Sequence, residues 1–215
     1  MRANVTMGAV RFELVDTSDA NVRVFVETAH RLAKETHATL HSFVRNTLWV
    51  SWGTTSFKAR PEMSALRFFA GLGKLAAPSA SETSASPWVP VDDKASKFPA
   101  VRVSGALCSG SANCRLAGGA QKALVIETPP WAEVLDKLLR FAAKRQTLVC
   151  PAAMAADVLE VATRTIAAVS VPPEAADSVA HLKPVVDSGR APYVKVNEVL
   201  AEVARRKRRI RRTRP

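Results

Sequence analysis

No apolar run among the 215 residues stays free of charge for the length that a bilayer crossing needs, so the sequence reads as soluble or peripherally bound. Cysteine is scarce: Cys108, Cys114 and Cys150 are an odd, scattered set. That is no disulfide framework, and it points to a reducing compartment. Cys108 and Cys114 lack the close spacing and the second pair of a zinc site, so small buried or loop thiols are expected. Aromatic rings are few, although four of them are Trp. A glycine-rich dinucleotide fingerprint, a phosphate loop and a nucleophile elbow are all missing, and Gly118-Gly119 does not stand in for any of them. The first eight residues carry a single Arg, which makes neither a secretory signal nor a basic amphipathic presequence.

Acid is also absent from residues 205–215, and there the sequence turns informative. Eight cations crowd this stretch: Arg205, Arg206, Lys207, Arg208, Arg209, Arg211, Arg212 and Arg214. Removing their +8 from the chain's +12 leaves only +4 for everything before. Such a block repels itself in water and becomes favourable beside a dense polyanion. Arginine forks grip phosphate oxygens in pairs. The tail therefore reads as a nucleic-acid contact, RNA before DNA, with a solubilising or targeting tail as the alternative.

The rest has ordinary globular composition, with 47% apolar residues. Residues 10–15 alternate as a half-buried strand does. Asp16, Thr17, Ser18 and Asp19 offer cap chemistry for a helix whose stripe is Val22, Phe25, Val26, Ala29 and Ala33. Residues 39–52 are rich in β-branched and aromatic residues and read as one strand. Residues 53–60 read as a loop, and 64–72 as a further strand with Pro61 at its edge. Residues 76–100 are dense in Ala, Ser and Pro without period, a linker or surface loop. A short strand over 101–107 and a loop over 108–119 follow. Residues 123–126 make a short buried strand. Thr128 then caps a helix with Pro129 and Pro130 in its first turn and Trp131, Val134, Leu135, Leu138 and Ala142 as its stripe. Residues 147–150 read as a strand, 154–165 as a third helix, and a last helix from Asn197 runs into the tail.

These elements divide as 1–75, a first β-α-β half with an arm; 76–119, an insertion; 120–150, a closing β-α-β half; and 151–215, a helical extension with the basic tail. Right-handed crossovers place both helices on one face, giving an α/β (α+β) ferredoxin-like sandwich with an inserted loop and a helical C-terminal extension.

On these residues the chain resembles the small-subunit ribosomal protein ten family. Val26-Glu27-Thr28-Ala29-His30-Arg31 sits where that family carries a Val-Glu-Thr-Ala-basic helix, after a strand matched by residues 10–15. Residues 48–69 are similar to the family's long hairpin arm. Val125-Ile126-Glu127-Thr128-Pro129, before residues 134–139, looks like its closing strand, proline and helix, with residues 155–167 as a competing closing helix. The family's Gly-Pro-rich segment is missing, which suits a divergent organellar member. A mitochondrial large-subunit relative of the same fold fits almost as well.

The resemblance implies a structural, non-enzymatic constituent of a mitochondrial small-subunit head, with cytoplasm as the alternative location. Its partners would be ribosomal RNA and neighbouring ribosomal proteins, with no cofactor, metal or small-molecule substrate and no membrane span. Arg45, Lys58, Arg60 and Arg67 would be the basic positions of body and arm, acting with the tail. The alternatives are a protein-only subunit of another organellar assembly, or a small acyl-phosphatase-like enzyme, whose arginine cradle residues 16–20 do not supply. His30, His37 and His41 flank a helix end and are expected at the surface or on RNA. Glu13, Asp16 and Asp19 are expected to solvate a strand and cap a helix. Trp49 and Trp52 are expected to pack in a core or interface, with base stacking as the alternative.

Overall fold

A computed structural model describes residues 2–14, 19–44, 46–55, 60–74, 101–118, 123–126, 131–156, 158, 161–171, 177–187 and 191–202. The alternation read at residues 10–15 begins far earlier. β1 spans Arg2–Leu14, with Val5, Ala9, Val10 and Phe12 buried along it. α1 (Asp19–Thr36) follows, and Phe25 and Ala29 bury the expected stripe. Its other faces carry exposed pairs at four-residue spacing, Arg23–Glu27 at 2.7 Å and Arg31–Glu35 at 2.9 Å. The helix ends as His37 turns left-handed (φ 55°), and the Ala38 N–H donates to the Ala33 carbonyl at 2.8 Å.

The single strand expected over 39–52 is a hairpin instead, β2 (Thr39–Val44) and β3 (Thr47–Trp52). Between β2 and β3 Asn46 takes φ 61°, and its carbonyl accepts the Phe12 N–H at 3.0 Å. Asn tolerates that left-handed conformation better than most residues do.

The strand expected over 64–72 is a helix, α2 (Pro61–Gly73). Pro61 occupies its first turn, where a missing N–H costs nothing and a fixed φ helps. Ala65, Leu66, Phe68, Phe69 and Leu72 are all buried, so the helix is apolar nearly all round and its period is hidden. The loop expected over 108–119 belongs to the longest strand, β4 (Val101–Ala117). Its glycines mark close approach rather than turns. A Cβ on Gly105 would stand 2.8 Å from the Ala9 carbonyl oxygen, and one on Gly110 would stand 2.4 Å from Trp131 Nε1.

β5 (Ala123–Ile126) folds back antiparallel on the end of β4. α3 (Ala132–Arg145) buries Val134, Leu135, Leu138 and Ala142, with Trp131 buried just before it. β6 (Leu148–Pro151) is the strand expected there. The two C-terminal helices are corrected. Only a single turn, α4 (Ala152–Ala155), forms before β7 (Val161–Ser170), and β8 (Tyr193–Glu202) replaces the last helix. Val194, Val196 and Val199 are buried along β8. A 3-10 segment, Asp177–Leu182, lies between β7 and β8.

The sheet order is β2-β3-β1-β4-β6-β8-β7, with β5 on β4 off that path. The architecture is α+β. Its first six elements keep the β4-β1-β3-β2 order of a ferredoxin-like sandwich, but the second half of that sandwich is α2 and β4, not residues 120–150. Gly105 faces Phe69 of α2, whereas Gly110, an odd number of residues along the strand, faces Trp131. So α2, with α1 against it through Leu32 and Gly71, covers one face of the sheet, and α3 covers the other. The insertion boundary at 119 is corrected too, because β4 is the strand at the sheet's centre. Residues 75–100 and 203–215 lie outside the described residues.

Candidate functional site

Where α1 leans over the hairpin, three phenylalanines from three elements stack. Phe12 of β1 lies 4.3 Å from Phe25 of α1 and 5.0 Å from Phe43 of β2, ring centre to centre, with the planes about 20° apart in both pairs. Phe12 and Phe25 are buried, but Phe43 is 45% exposed and closes the stack with an open face. The stack floors a groove of about 280 Å³ walled by Val26, Leu40 and Leu48, with His30, His41 and Ser42 at its rim. Val44 extends the apolar lip at 55% exposure. The groove depends on the hairpin, since only the reversal at Asn46 folds Phe43 back beside Phe12.

A register shift between Leu40 and Ser42 sets His41 off the regular alternation of β2. Its Nε2 lies 2.6 Å from Ser51 Oγ, and Ser51 Oγ lies 2.9 Å from Thr54 Oγ1. Thr54 in turn donates to Thr39 Oγ1 at 3.4 Å. Burial lowers the His41 pKa below the ordinary histidine value, so the neutral ring is favoured. The site is thus an apolar, aromatic-floored slot with the His41 imidazole at its rim and a run of hydroxyls behind it. That surface suits a planar heteroaromatic ring better than a bare ion.

Of the cationic residues singled out in the sequence, Arg60 is exposed at the start of α2 and Arg67 is partly buried within it, so neither stands on a hairpin arm. Arg45, Lys58 and the tail residues Arg205, Arg206, Lys207, Arg208, Arg209, Arg211, Arg212 and Arg214 lie outside the described residues. Trp52 packs in the core, its Nε1 donating to Thr36 Oγ1 at 3.3 Å and its ring edge-on to Phe68. Trp49 is partly buried. Cys108, Cys114 and Cys150 are free and buried. Among the described residues, no group of three or more His, Cys, Asp or Glu side chains comes together to hold a metal ion, and no helix is long and apolar enough to cross a membrane. Sequence reasoning missed the groove. Its available signal was Arg45-Asn46, two polar residues splitting an otherwise β-rich run.

No protein-family model and no curated protein matches the sequence. Solved structures do match the fold, almost end to end. The chain is similar to the guanylate cyclase domain of RhGC from Catenaria anguillulae, solved in complex with GTP, with a TM-score of 0.57 and 9% identity over 94% of this chain and 100% of that one. It is similar to the adenylyl cyclase CyaB from P. aeruginosa, with a TM-score of 0.55 and 11% identity over 96% and 97%. It is also similar to a non-canonical dimeric guanylyl cyclase domain of the RhoGC fusion protein from the aquatic fungus Blastocladiella emersonii, with a TM-score of 0.58 and 8% identity over 94% and 99%. These likenesses overturn the ribosomal resemblance. With it go the small-subunit head, the rRNA and ribosomal-protein partners, the non-enzymatic role and the exclusion of a small-molecule substrate, because the structures sharing this architecture are nucleotide cyclase domains. The acyl-phosphatase alternative falls on the same finding. The short motifs behind the resemblance lie on α1 and near α3, whereas α2 and β4 complete the first sandwich, and the resulting fold is similar to that of the nucleotide cyclase domains.

Proposed function

We propose that this chain is a nucleotide-cyclase-type domain that binds a purine nucleoside triphosphate, with the base lodged in the groove between α1 and the β2–β3 hairpin. The observation carrying this reading is the match over nearly the whole of both chains to a guanylate cyclase domain solved with GTP. A rhodopsin-guanylyl cyclase core solved with ATPalphaS adds support at a TM-score of 0.58. The open face of Phe43 gives the base a place, since a purine would continue the Phe25–Phe12–Phe43 stack as a fourth ring. Ser42 and the two histidines at the rim offer hydrogen-bonding atoms to the base edge. The chain's +12 charge favours a polyanionic ligand.

Phosphoryl transfer from a triphosphate is ordinarily helped by divalent cations that bridge phosphate oxygens. Among the described residues no group of three or more His, Cys, Asp or Glu comes together, but a cation held between nucleotide phosphates needs only one or two carboxylates from the protein. The part played by the described residues is to bind and position the base.

The test is titration of the purified chain with a fluorescent GTP analogue and competition by GTP, ATP and a pyrimidine triphosphate. Product formation is followed by mass spectrometry. Saturable binding that purines displace better than pyrimidines is expected. Phe43→Ala should weaken it roughly tenfold or more, since stacking a base on an aromatic ring is worth about 1–3 kcal/mol. Absence of saturable binding, or indifference to Phe43→Ala, would remove the groove as the base site.

A further inference from the structure

A second cavity, of about 260 Å³, lies where α2 begins, beside α4 and the 3-10 segment. Ser109 on its wall pairs with Thr6 of β1, six residues from Phe12. At the rise of a strand that is about 20 Å from the ring stack. The two sites are separate, and the chemistry of this cavity is independent of any nucleotide in the groove.

The cavity carries both signs of charge and an apolar wall. Glu62 lines it, and the Glu62 Oε2 atom is withdrawn from water with no hydrogen-bond partner. A buried acceptor left unpaired is costly, so it is matched by a ligand that donates. Arg60 lines it too, exposed at the N-cap of α2 and making no side-chain cap bond there. Behind Arg60 the first-turn N–H groups of α2 have no partner within the helix and add positive potential. His181 Nε2 bonds the Ser109 carbonyl oxygen. That oxygen can only accept, so Nε2 carries the proton and the ring is held as part of the wall. Met63, Met154 and Leu182 supply the apolar side.

An acceptor wanting a donor, a cation wanting an anion and an apolar wall thus sit around one small space. The volume falls below the roughly 300–1,000 Å³ of sites for drug-sized ligands. We propose that this cavity binds a small α-amino-acid-like zwitterion: its ammonium on Glu62, its carboxylate on Arg60 and the start of α2, and a medium apolar side chain against Met63 and Met154.

The experiment uses the full chain and two probes, L-leucine and L-methionine, by calorimetric titration and melting curves. Isopentylamine and 4-methylpentanoate serve as controls, each retaining one charge of leucine. The proposal expects saturable binding of at least one amino acid and at least tenfold weaker binding of both controls. Glu62→Gln and Arg60→Gln should each weaken the amino acid at least tenfold, while Phe43→Ala leaves it unchanged. If Glu62→Gln melts before it can be measured, Arg60→Gln decides, because its side chain is exposed and packs no core. No saturable binding of either amino acid, unchanged binding in Arg60→Gln, or an amine that binds as well as leucine would overturn the proposal. Loss of amino-acid binding with retained GTP binding, or the reverse, separates this site from the groove.

Discussion

His41 illustrates how one off-register side chain changes the behaviour of a strand. Burial disfavours its imidazolium, so its folded pKa lies below the unfolded one. A histidine shifted this way contributes stability above the unfolded value of about 6.5, and that contribution is lost as pH falls through the folded value. Denaturant midpoints measured between pH 7.5 and 5.5 should therefore decline modestly on the acid side, and His41→Gln should flatten that decline. An acid-side slope identical in His41→Gln would remove His41 as its source. At this scale much was legible in the sequence. Phe25 and Ala29 on α1, and Trp131, Val134, Leu135, Leu138 and Ala142 around α3, are buried as their spacing foretold. Gly105 and Gly110 were not legible, because a glycine that admits a neighbouring backbone or a tryptophan looks in sequence like one that turns the chain.

Among the elements, α1 and α3 share a device. Each ends in a left-handed residue that is not glycine, His37 at φ 55° and Gln146 at φ 51°. A side chain in that conformation costs roughly 1–2 kcal/mol, against less than about 1 kcal/mol for the freedom glycine adds to the unfolded chain. Gln146→Gly should thus raise stability by about 0.5–1 kcal/mol in urea unfolding, and an unchanged or lower midpoint would contradict the cap. Where element type was misread, the cause is burial or length. α2 is apolar on most of its faces and lost its helical period. β7 carries two register shifts that break its period-two pattern, and it and β8, ten residues each, are long enough for three- and four-residue coincidences to imitate a helix stripe. The groove inherits these errors, since Phe43 faces it only because β2 and β3 are two strands.

Taken whole, the molecule is one sheet sewn at a narrow place. β4 joins β6 through only the Gly105–Leu148 and Ala106–Val149 pairs, the parallel join of the β1-to-β4 sandwich to β6, β8 and β7. Glu198 of β8 reinforces that side, accepting from Thr147 Oγ1 at 2.7 Å and from Arg164 Nη2 at 2.7 Å. Cys108 of β4 and Cys150 of β6 are buried on the two sides of the join. Burial pushes the Cys150 thiol up to about 12 and Cys108 higher still. Because the thiolate is the reactive form, a disulfide reagent should label neither in native buffer except at the rate of unfolding. Rapid labelling of Cys150 without denaturant would mean that the join opens by itself. The sheet order around this join could not be deduced from the sequence. A strand's partner depends on contacts between distant residues, and local composition carries little of that information.

Pairing of Arg2 with Asn113, and of Leu14 with Val101, has a consequence for how the chain is born. At translation speeds of about 5–20 residues per second, the amino-terminal strand waits on the order of five to twenty seconds for its mate to emerge. Until then its apolar side has only the nascent hairpin and helices for company. A long early strand with so late a mate is the kind of exposed edge that chaperones shield, and synthesis without them should yield more aggregate than refolding the finished chain from dilute denaturant.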